Sequence, residues 1–169
     1  MVLALHKLPK VTIAAVNGPA IGVGMDIALA CDFVMAAESA TFAMAHLKRG
    51  LVPDGGSMYF LPRRVGLPRA KELILTGRRL TAHEALELGV VDRVVRAGEL
   101  DSAAIEWARE LSASSPIAIA LAKSIVDRSF ELELESVLAL GAEAQALCYT
   151  TEEHRASVEE FLNRDRKPK

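Results

Sequence analysis

Glycine and acidic residues in two turn-rich segments are the residues best placed to do chemistry. In the first segment, residues 18–26, Gly22 and Gly24 stand between an apolar run and a stretch of helix-forming residues. The first N–H groups of a helix have no partner within it, so a glycine-rich loop before them can hold an anion or a developing oxyanion. The amides of Val23 and Gly24 are the candidate donors. We also expect a bound substrate to contact the adjacent residues Ala20, Ile21 and Gly22.

These glycines have an alternative, structural role, because glycine also allows a strand and a helix to pack closely. Their spacing is not that of a dinucleotide-binding loop, since Ile27 stands where the third glycine of G-x-G-x-x-G would be. The residues alone leave both interpretations open.

The second segment, residues 50–57, contains Pro53 and three glycines and is predicted to be a loop followed by a helix that Ser57 caps. An aspartate in such a turn, here Asp54, is ordinarily a turn former. A carboxylate held against an apolar wall can instead take and return a proton as a general base. The wall would consist of Leu51, Val52, Met58, Tyr59, Phe60 and Leu61. We expect Pro53, Gly55, Gly56 and Tyr59 to contact substrate.

Several other polar residues have a functional and a structural interpretation. Asp26 and His46 are acid or base candidates, but Asp26 also suits a helix N-terminus and His46 a packed or solvated position. Cys31 has no adjacent histidine, which favours a small buried hydrophobe over a nucleophile. The basic pairs at 48–49 and 63–64 are able to hold phosphates, although such pairs are usually solvated.

The elements that position these residues alternate between strand and helix in an α/β region, residues 1–99. Apolar runs predict strands at 11–16, 33–36, 41–45 and 90–95, and helical patterns start near residue 24 and at 69 and 81, the last with a capping box. From residue 100 to 169 the pattern is helical, with helices at 101–112, 116–129, 132–147 and 151–163.

Composition excludes several classes of protein. The 169 residues carry a formal net charge of -2, which gives no electrostatic reason to expect nucleic acid or a membrane surface as a partner. No apolar stretch has the length of a membrane helix. Cys31 and Cys148 lack the spacing of a zinc site, so we expect no metal site and a reducing, cytoplasmic location.

Several short motifs follow one another in a recognisable order over nearly the whole chain. They are Ile13–Gly24, Ala30–Asp32, Ala40–Phe42, Gly50–Gly56, Leu61–Arg63, Leu75–Gly77 and Gly89–Val91. In this order they resemble the crotonase, or enoyl-CoA hydratase/isomerase, superfamily.

The resemblance implies a spiral of ββα units with a helical C-terminal region that packs on neighbouring subunits, in trimers or hexamers. It implies an acyl-CoA substrate, no separate cofactor, and an oxyanion hole to which Val23 contributes its amide. Two glutamates of the hydratases are matched here by Asp26 and His46, whereas Asp54 matches the acidic residue of related double-bond isomerases. We therefore expect isomerisation, with Asp54 as the single base, in preference to hydration.

Chains of this family begin well upstream of the position of Met1, so the resemblance implies that roughly the N-terminal third is absent. We expect apolar surface on 11–16 and 33–36 to be uncovered unless another chain covers it. The alternatives to an active isomerase are half of a split enzyme and a catalytically impaired or non-catalytic oligomer subunit. In the family, basic residues near the C-terminus approach the CoA phosphates, and Arg164, Arg166 and Lys167 occupy that region here.

Overall fold

The computed structural model describes residues 1–164, which divide into two compact units with the boundary between Glu110 and Leu111. The strands are β1 (Ile13–Val16), β2 (Pro19–Ile21), β3 (Phe33–Ala37), β4 (Thr41–Ala43), β5 (Leu80–Thr81) and β6 (Arg93–Val95). The helices are α1 (Val2–His6), α2 (Val23–Leu29), α3 (Ser57–Val65), α4 (Leu67–Thr76), α5 (Ala82–Glu87), α6 (Leu100–Leu111), α7 (Pro116–Val126), α8 (Leu134–Tyr149) and α9 (Glu152–Arg164). Short 3-10 turns occupy Leu47–Arg49 and Ala97–Glu99.

In the first unit, the strands β1 and β2 form hydrogen bonds with β3 and β4, the two strands that follow them in the chain. β1 pairs with β3 in parallel, with Ile13 opposite Phe33, and β2 pairs with β4 in parallel, with Pro19 opposite Thr41. Each strand thus meets its counterpart about twenty residues further along the chain. Parallel strands need a long connection between them, and the α2 helix, which lies between β2 and β3 in the chain, forms it.

Two three-stranded sheets result from this arrangement. The first has the order β1-β3-β6 and is parallel throughout, whereas in the second, β2-β4-β5, the short β5 is antiparallel to β4. Residues of β3, β4 and α2 form the centre of the core together with side chains of α3, α4 and α5. Fully buried members include Met25, Val34, Phe42, Leu61 and Leu80.

The starts of the parallel strands are held by two carboxylates, of which Asp32 is half-buried and Asp92 is exposed. Asp32 Oδ2 accepts hydrogen bonds from the amide (2.7 Å) and the hydroxyl (2.9 Å) of Thr12, and the Asp32 amide donates to the same hydroxyl at 3.0 Å. Asp92 Oδ2 accepts from the Val34 amide at 2.6 Å and from both terminal nitrogens of Arg64. Arg64 is therefore a structural residue of the strand junction rather than a solvated or phosphate-binding cation.

The strands differ from the sequence prediction in several places, and the short β5 was not predicted. β2 occupies residues predicted as loop, since only pairing with β4 makes Pro19–Ile21 extended. The strand predicted at 90–95 begins at Arg93, because the Val90 and Val91 amides donate to the Ala85 carbonyl after α5. β3 is mostly buried, so the expectation that 33–36 would be uncovered is wrong: it is the central strand of its sheet. β1, at the sheet edge, is half-buried with Ala15 exposed.

The helices largely follow the predicted pattern, and the capping box at Thr81 and Glu84 is present. The α1 helix was not predicted. In the second unit, none of residues 111–163 is buried. No helix within residues 1–164 has the length and apolar character needed to cross a membrane. Both cysteines lie in the described part and form no disulfide.

Candidate functional site

The corner at Gly22 joins β2 to α2. The Gly22 amide donates to the Ala43 carbonyl of β4 at 2.9 Å, and its carbonyl accepts from the amides of Met25 and Asp26. Its φ of +58° lies in the left-handed region, which favours glycine. The amides of Val23 and Gly24 are the first two of the helix and find no acceptor among residues 1–164. They are available to an acceptor from outside the chain.

Asp26 and His46 are brought together inside the protein. Asp26 lies in the first turn of α2 and is 0% exposed, and His46 is 9% exposed. The His46 Nε2 lies 3.6 Å from Asp26 Oδ2, a separation too long for a hydrogen bond. Asp26 Oδ2, both His46 ring nitrogens and the Ser57 hydroxyl have no hydrogen-bond partner within residues 1–164. In this pair, Asp26 Oδ2 and both ring nitrogens of His46 are therefore shielded from solvent.

The loop before α3 passes directly over Asp26. The Ser57 amide donates to Asp26 Oδ1 at 3.2 Å. A β-carbon added to Gly55 would lie 2.6 Å from Asp26 Cγ and 2.7 Å from Asp26 Cβ, closer than real side-chain contacts allow. Ser57 is the first residue of α3 and Gly56, with φ of +98°, occupies the N-cap, so the prediction that Ser57 caps the helix is wrong. The Asp26 carboxyl, rather than the serine hydroxyl, receives the amide at this helix start.

Asp54 lies on the outer side of this loop and is exposed. Its carboxylate has no hydrogen-bond or ion-pair partner among residues 1–164. The predicted apolar wall is only partly present: Leu61 is buried in the core and Phe60 is half-buried. The exposed apolar side chains nearby in sequence are Leu51, Val52, Met58 and Tyr59.

Aromatic side chains connect α1 to the start of α3. The His6 ring packs edge-on against Phe60, with ring centroids 5.0 Å apart, and against Tyr59 at 6.3 Å. The Arg63 guanidinium lies over the Tyr59 ring, 3.5 Å from its centroid. A β-carbon on Gly56 would lie 3.4 Å from Val2 Cγ1, so α1 also reaches the glycine turn. Sequence reasoning missed His6, although an isolated histidine in a short apolar stretch was a visible signal.

The remaining predicted contacts have mixed exposure. Ala20 and Pro53 are buried, whereas Ile21, Gly55 and Gly56 are half-buried and Tyr59 is exposed. Their predicted contact with substrate stays a prediction. Lys48 and Arg49 are exposed. Arg164 ends α9, and Arg166 and Lys167 lie outside the described residues, so their approach to phosphates also stays a prediction.

Residues 1–164 contain no group of three histidine, cysteine or acidic side chains that could hold a metal ion. A separate open cavity of about 670 Å³ lies within the second unit, lined in part by Ser115, Cys148, Thr151 and His154. None of the predicted site residues lines it.

Comparison with known proteins identifies relatives of this chain. The family model described as enoyl-CoA hydratase/isomerase matches residues 1–169. The short-chain-enoyl-CoA hydratase of Clostridium acetobutylicum is 36% identical over 160 residues, which are 95% of this chain and 61% of the relative. The carnitinyl-CoA dehydratase of Salmonella typhimurium is 46% identical over 131 residues, 78% of this chain and 50% of the relative.

Solved structures show the same fold. An enoyl-CoA hydratase/isomerase from Cupriavidus metallidurans matches with a TM-score of 0.92 and 41% identity, over 96% of this chain and 62% of that one. An enoyl-CoA hydratase from Bacillus anthracis matches with the same TM-score and 37% identity. The chain thus spans less than two thirds of the length of these proteins. The crotonase-like α/β fold is confirmed, and the chain belongs to the enoyl-CoA hydratase/isomerase family.

Proposed function

We propose that the protein acts on acyl-CoA thioesters and moves the double bond of an enoyl-CoA, with Asp54 as the single base. The observation that carries this proposal is the difference in exposure between the two candidate carboxylates: Asp54 is exposed, whereas Asp26 is fully buried. A general base must come within hydrogen-bond distance of the proton that it removes. A substrate bound at the surface can meet Asp54 without any rearrangement of the chain.

In the proposed reaction, the Asp54 carboxylate removes a proton from the carbon between the thioester carbonyl and the double bond of a 3-enoyl-CoA. The electron pair moves to the carbonyl oxygen and gives a dienolate, to which the Val23 amide donates a hydrogen bond. Protonated Asp54 then returns the proton to the far carbon of the original double bond. The product is the conjugated 2-enoyl-CoA, no atom is gained or lost, and the step needs no metal or redox cofactor.

Hydration is the second candidate, because one relative is named a hydratase and another a dehydratase. Adding water requires groups that position it next to the double bond. The residues that match the two hydratase glutamates are Asp26 and His46, which are buried. Their burial favours isomerisation over hydration.

The proposal includes assembly into a homo-oligomer, a trimer or a hexamer. Helices α7 and α8 are rich in apolar residues, and yet none of residues 111–163 is buried within the chain. Exposed apolar faces of this extent are typical of subunit interfaces. The reducing, cytoplasmic location stays a prediction from the two cysteines.

The test follows double-bond migration and hydration separately in the wild-type chain and an Asp54→Asn variant. We expect wild type to convert 3-enoyl-CoA to 2-enoyl-CoA, seen as new absorbance of the conjugated thioester. Loss of a general base lowers the rate about 10²- to 10⁴-fold, so Asp54→Asn should lose nearly all migration. Asp101→Asn, an exposed carboxylate in the first turn of α6, is the matched control and should remain active.

Three results would contradict the proposal. Full migration activity in Asp54→Asn would remove this residue from the mechanism. Water addition to 2-enoyl-CoA without migration would favour the hydratase, and no turnover of either thioester would favour a non-catalytic subunit or half of a split enzyme.

A further inference from the structure

The Asp26 carboxyl contacts the backbone of the loop that carries Asp54, and it does so from the inside of the protein. Its Oδ1 accepts a hydrogen bond from the Ser57 amide at 3.2 Å, just beyond the two glycines that follow Asp54. The same carboxyl lies against Gly55 so closely that a β-carbon there would be 2.6 Å from Asp26 Cγ. The Asp26 carboxyl therefore meets the backbone on the C-terminal side of Asp54 at two positions, Gly55 and Ser57.

His46 supports this carboxyl from the other side. Its ring is nearly buried, with Nε2 3.6 Å from Asp26 Oδ2 and 3.5 Å from the position that a β-carbon on Gly22 would take. The ring thus fills the space between Asp26 and the corner of β2 and α2. It also restricts the positions that the carboxyl can adopt.

We propose that Asp26, supported by His46, is a positioning residue that fixes Asp54 for proton transfer and does not itself meet the substrate. The inference rests on the proposed role of Asp54. Two adjacent glycines make the loop intrinsically adaptable, so the place of Asp54 depends on what holds the backbone that follows it. Misplacement of a reacting group by about 1 Å can lower a rate about 10²-fold. The hydrogen bond from Ser57 to Asp26 prevents that displacement.

Asparagine and alanine at position 26 separate positioning from acid–base chemistry. Asparagine keeps an oxygen that can accept the Ser57 amide but cannot act as a base, whereas alanine removes the acceptor. We expect Asp26→Asn to keep kcat for double-bond migration within about threefold, and Asp26→Ala to lower kcat about 10²-fold with little change in KM. Equal loss in both variants would show that the carboxyl itself moves a proton and would overturn the inference.

The Asp54→Asn background gives an independent check, because residues that act as one unit have non-additive effects. If Asp26 works through Asp54, Asp26→Ala should not lower the residual rate of Asp54→Asn any further. An additional 10²-fold loss in the double variant would overturn the inference. Full activity of Asp54→Asn alone would instead refute the proposed function, which keeps the two failures distinguishable.

Amide hydrogen exchange tests, without any catalytic turnover, whether Asp26 holds the Ser57 amide in place. We expect the Ser57 amide to exchange with solvent deuterium slowly in wild type and Asp26→Asn, and at least about tenfold faster in Asp26→Ala. Equal exchange rates in all three proteins would overturn it, whether or not the chain turns over a thioester.

Gly55→Ala displaces the same loop without removing the carboxyl, and it serves if Asp26→Ala does not fold. Its β-carbon would collide with Asp26, so we expect a similar loss of kcat and faster exchange at Ser57. Gly98→Ala is the matched control, because a β-carbon there has no atom within 4 Å. Wild-type kcat in Gly55→Ala would overturn the inference.

Discussion

At the scale of single residues, three aspartate carboxyls hold backbone amides in place, one of them buried (Asp26), one half-buried (Asp32) and one exposed (Asp92). Asp26 accepts the Ser57 amide, Asp32 accepts the Thr12 amide, and Asp92 accepts the Val34 amide. Each bond joins residues 20 or more positions apart, at the start of a strand or helix. Asp26, a candidate for acid or base chemistry in the sequence, thus belongs with two structural aspartates that determine where chain segments meet.

The Thr12 and Asp32 contact predicts a measurable stability effect. Thr12→Val keeps the side-chain shape but leaves the Asp32 amide without its 3.0 Å acceptor. Leaving a buried polar group without a partner costs about 1–3 kcal/mol, and since this contact is half-buried the free energy of unfolding should fall by about 1 kcal/mol. Chemical denaturation measures it.

Thr76→Val is the matched control, because the exposed Thr76 hydroxyl can be replaced by water. Its effect should stay within about 0.5 kcal/mol. An equal loss of stability in the two variants would contradict a specific role for the Thr12 hydroxyl.

At the scale of elements, sequence motifs predicted those helix boundaries that depend only on neighbouring residues. The capping box predicted the start of α5 because Thr81 and Glu84 satisfy each other's backbone amides, which needs no distant partner. The extended β2 was missed because Pro19–Ile21 is a strand only through its pairing with β4. The approach of Asp26 to His46 was missed for a related reason. The two residues are 20 positions apart and come together because the pairing of β1 with β3, and of β2 with β4, brings residues about 20 positions apart side by side.

The capping box also predicts a pH dependence of stability. The hydrogen bond from the Thr81 amide, with smaller contributions from the Thr81 hydroxyl and Arg78, holds the pKa of Glu84 below its ordinary value. The folded state therefore binds fewer protons than the unfolded chain in acid. This contribution is fully present above the unfolded pKa of about 4.3 and is lost as pH falls through the lowered folded pKa.

Glu84→Gln tests this effect, because glutamine keeps the cap but carries no charge. Wild type should be more stable than Glu84→Gln near neutral pH, and the difference should shrink as pH falls from about 6 to about 3. Thermal unfolding across that range provides the comparison. A difference that stays constant with pH would contradict the role of the ionised carboxylate.

At the scale of the whole molecule, the two units differ in how they bury apolar residues. The first unit contains the buried core, whereas residues 111–163 contain no buried residue although α7 and α8 are largely apolar. Sequence patterns predicted these helices well, since periodicity marks an apolar face. The same patterns could not show that the apolar faces of α7 and α8 are not buried against other residues of the described chain.

The exposed face of α8 predicts self-association. We expect wild type to sediment as a trimer or hexamer, and Leu138→Lys to shift the population toward monomer because it places a charge on that face. Glu143→Gln, which changes the net charge by the same amount at another exposed position of α8, should sediment like wild type. A wild-type chain that stays monomeric at every concentration would contradict the proposed oligomer.

The close approach of Gly55 to Asp26 also restricts how this sequence can diverge. The obstacle at position 55 includes the β-carbon of Asp26, at 2.7 Å, and every residue except glycine carries a β-carbon. Replacing Asp26 by a smaller side chain, even alanine, therefore does not open position 55 to substitution. A lineage that retains this backbone must therefore keep glycine at 55 whatever acid, amide or apolar residue replaces Asp26: position 26 can change while position 55 cannot.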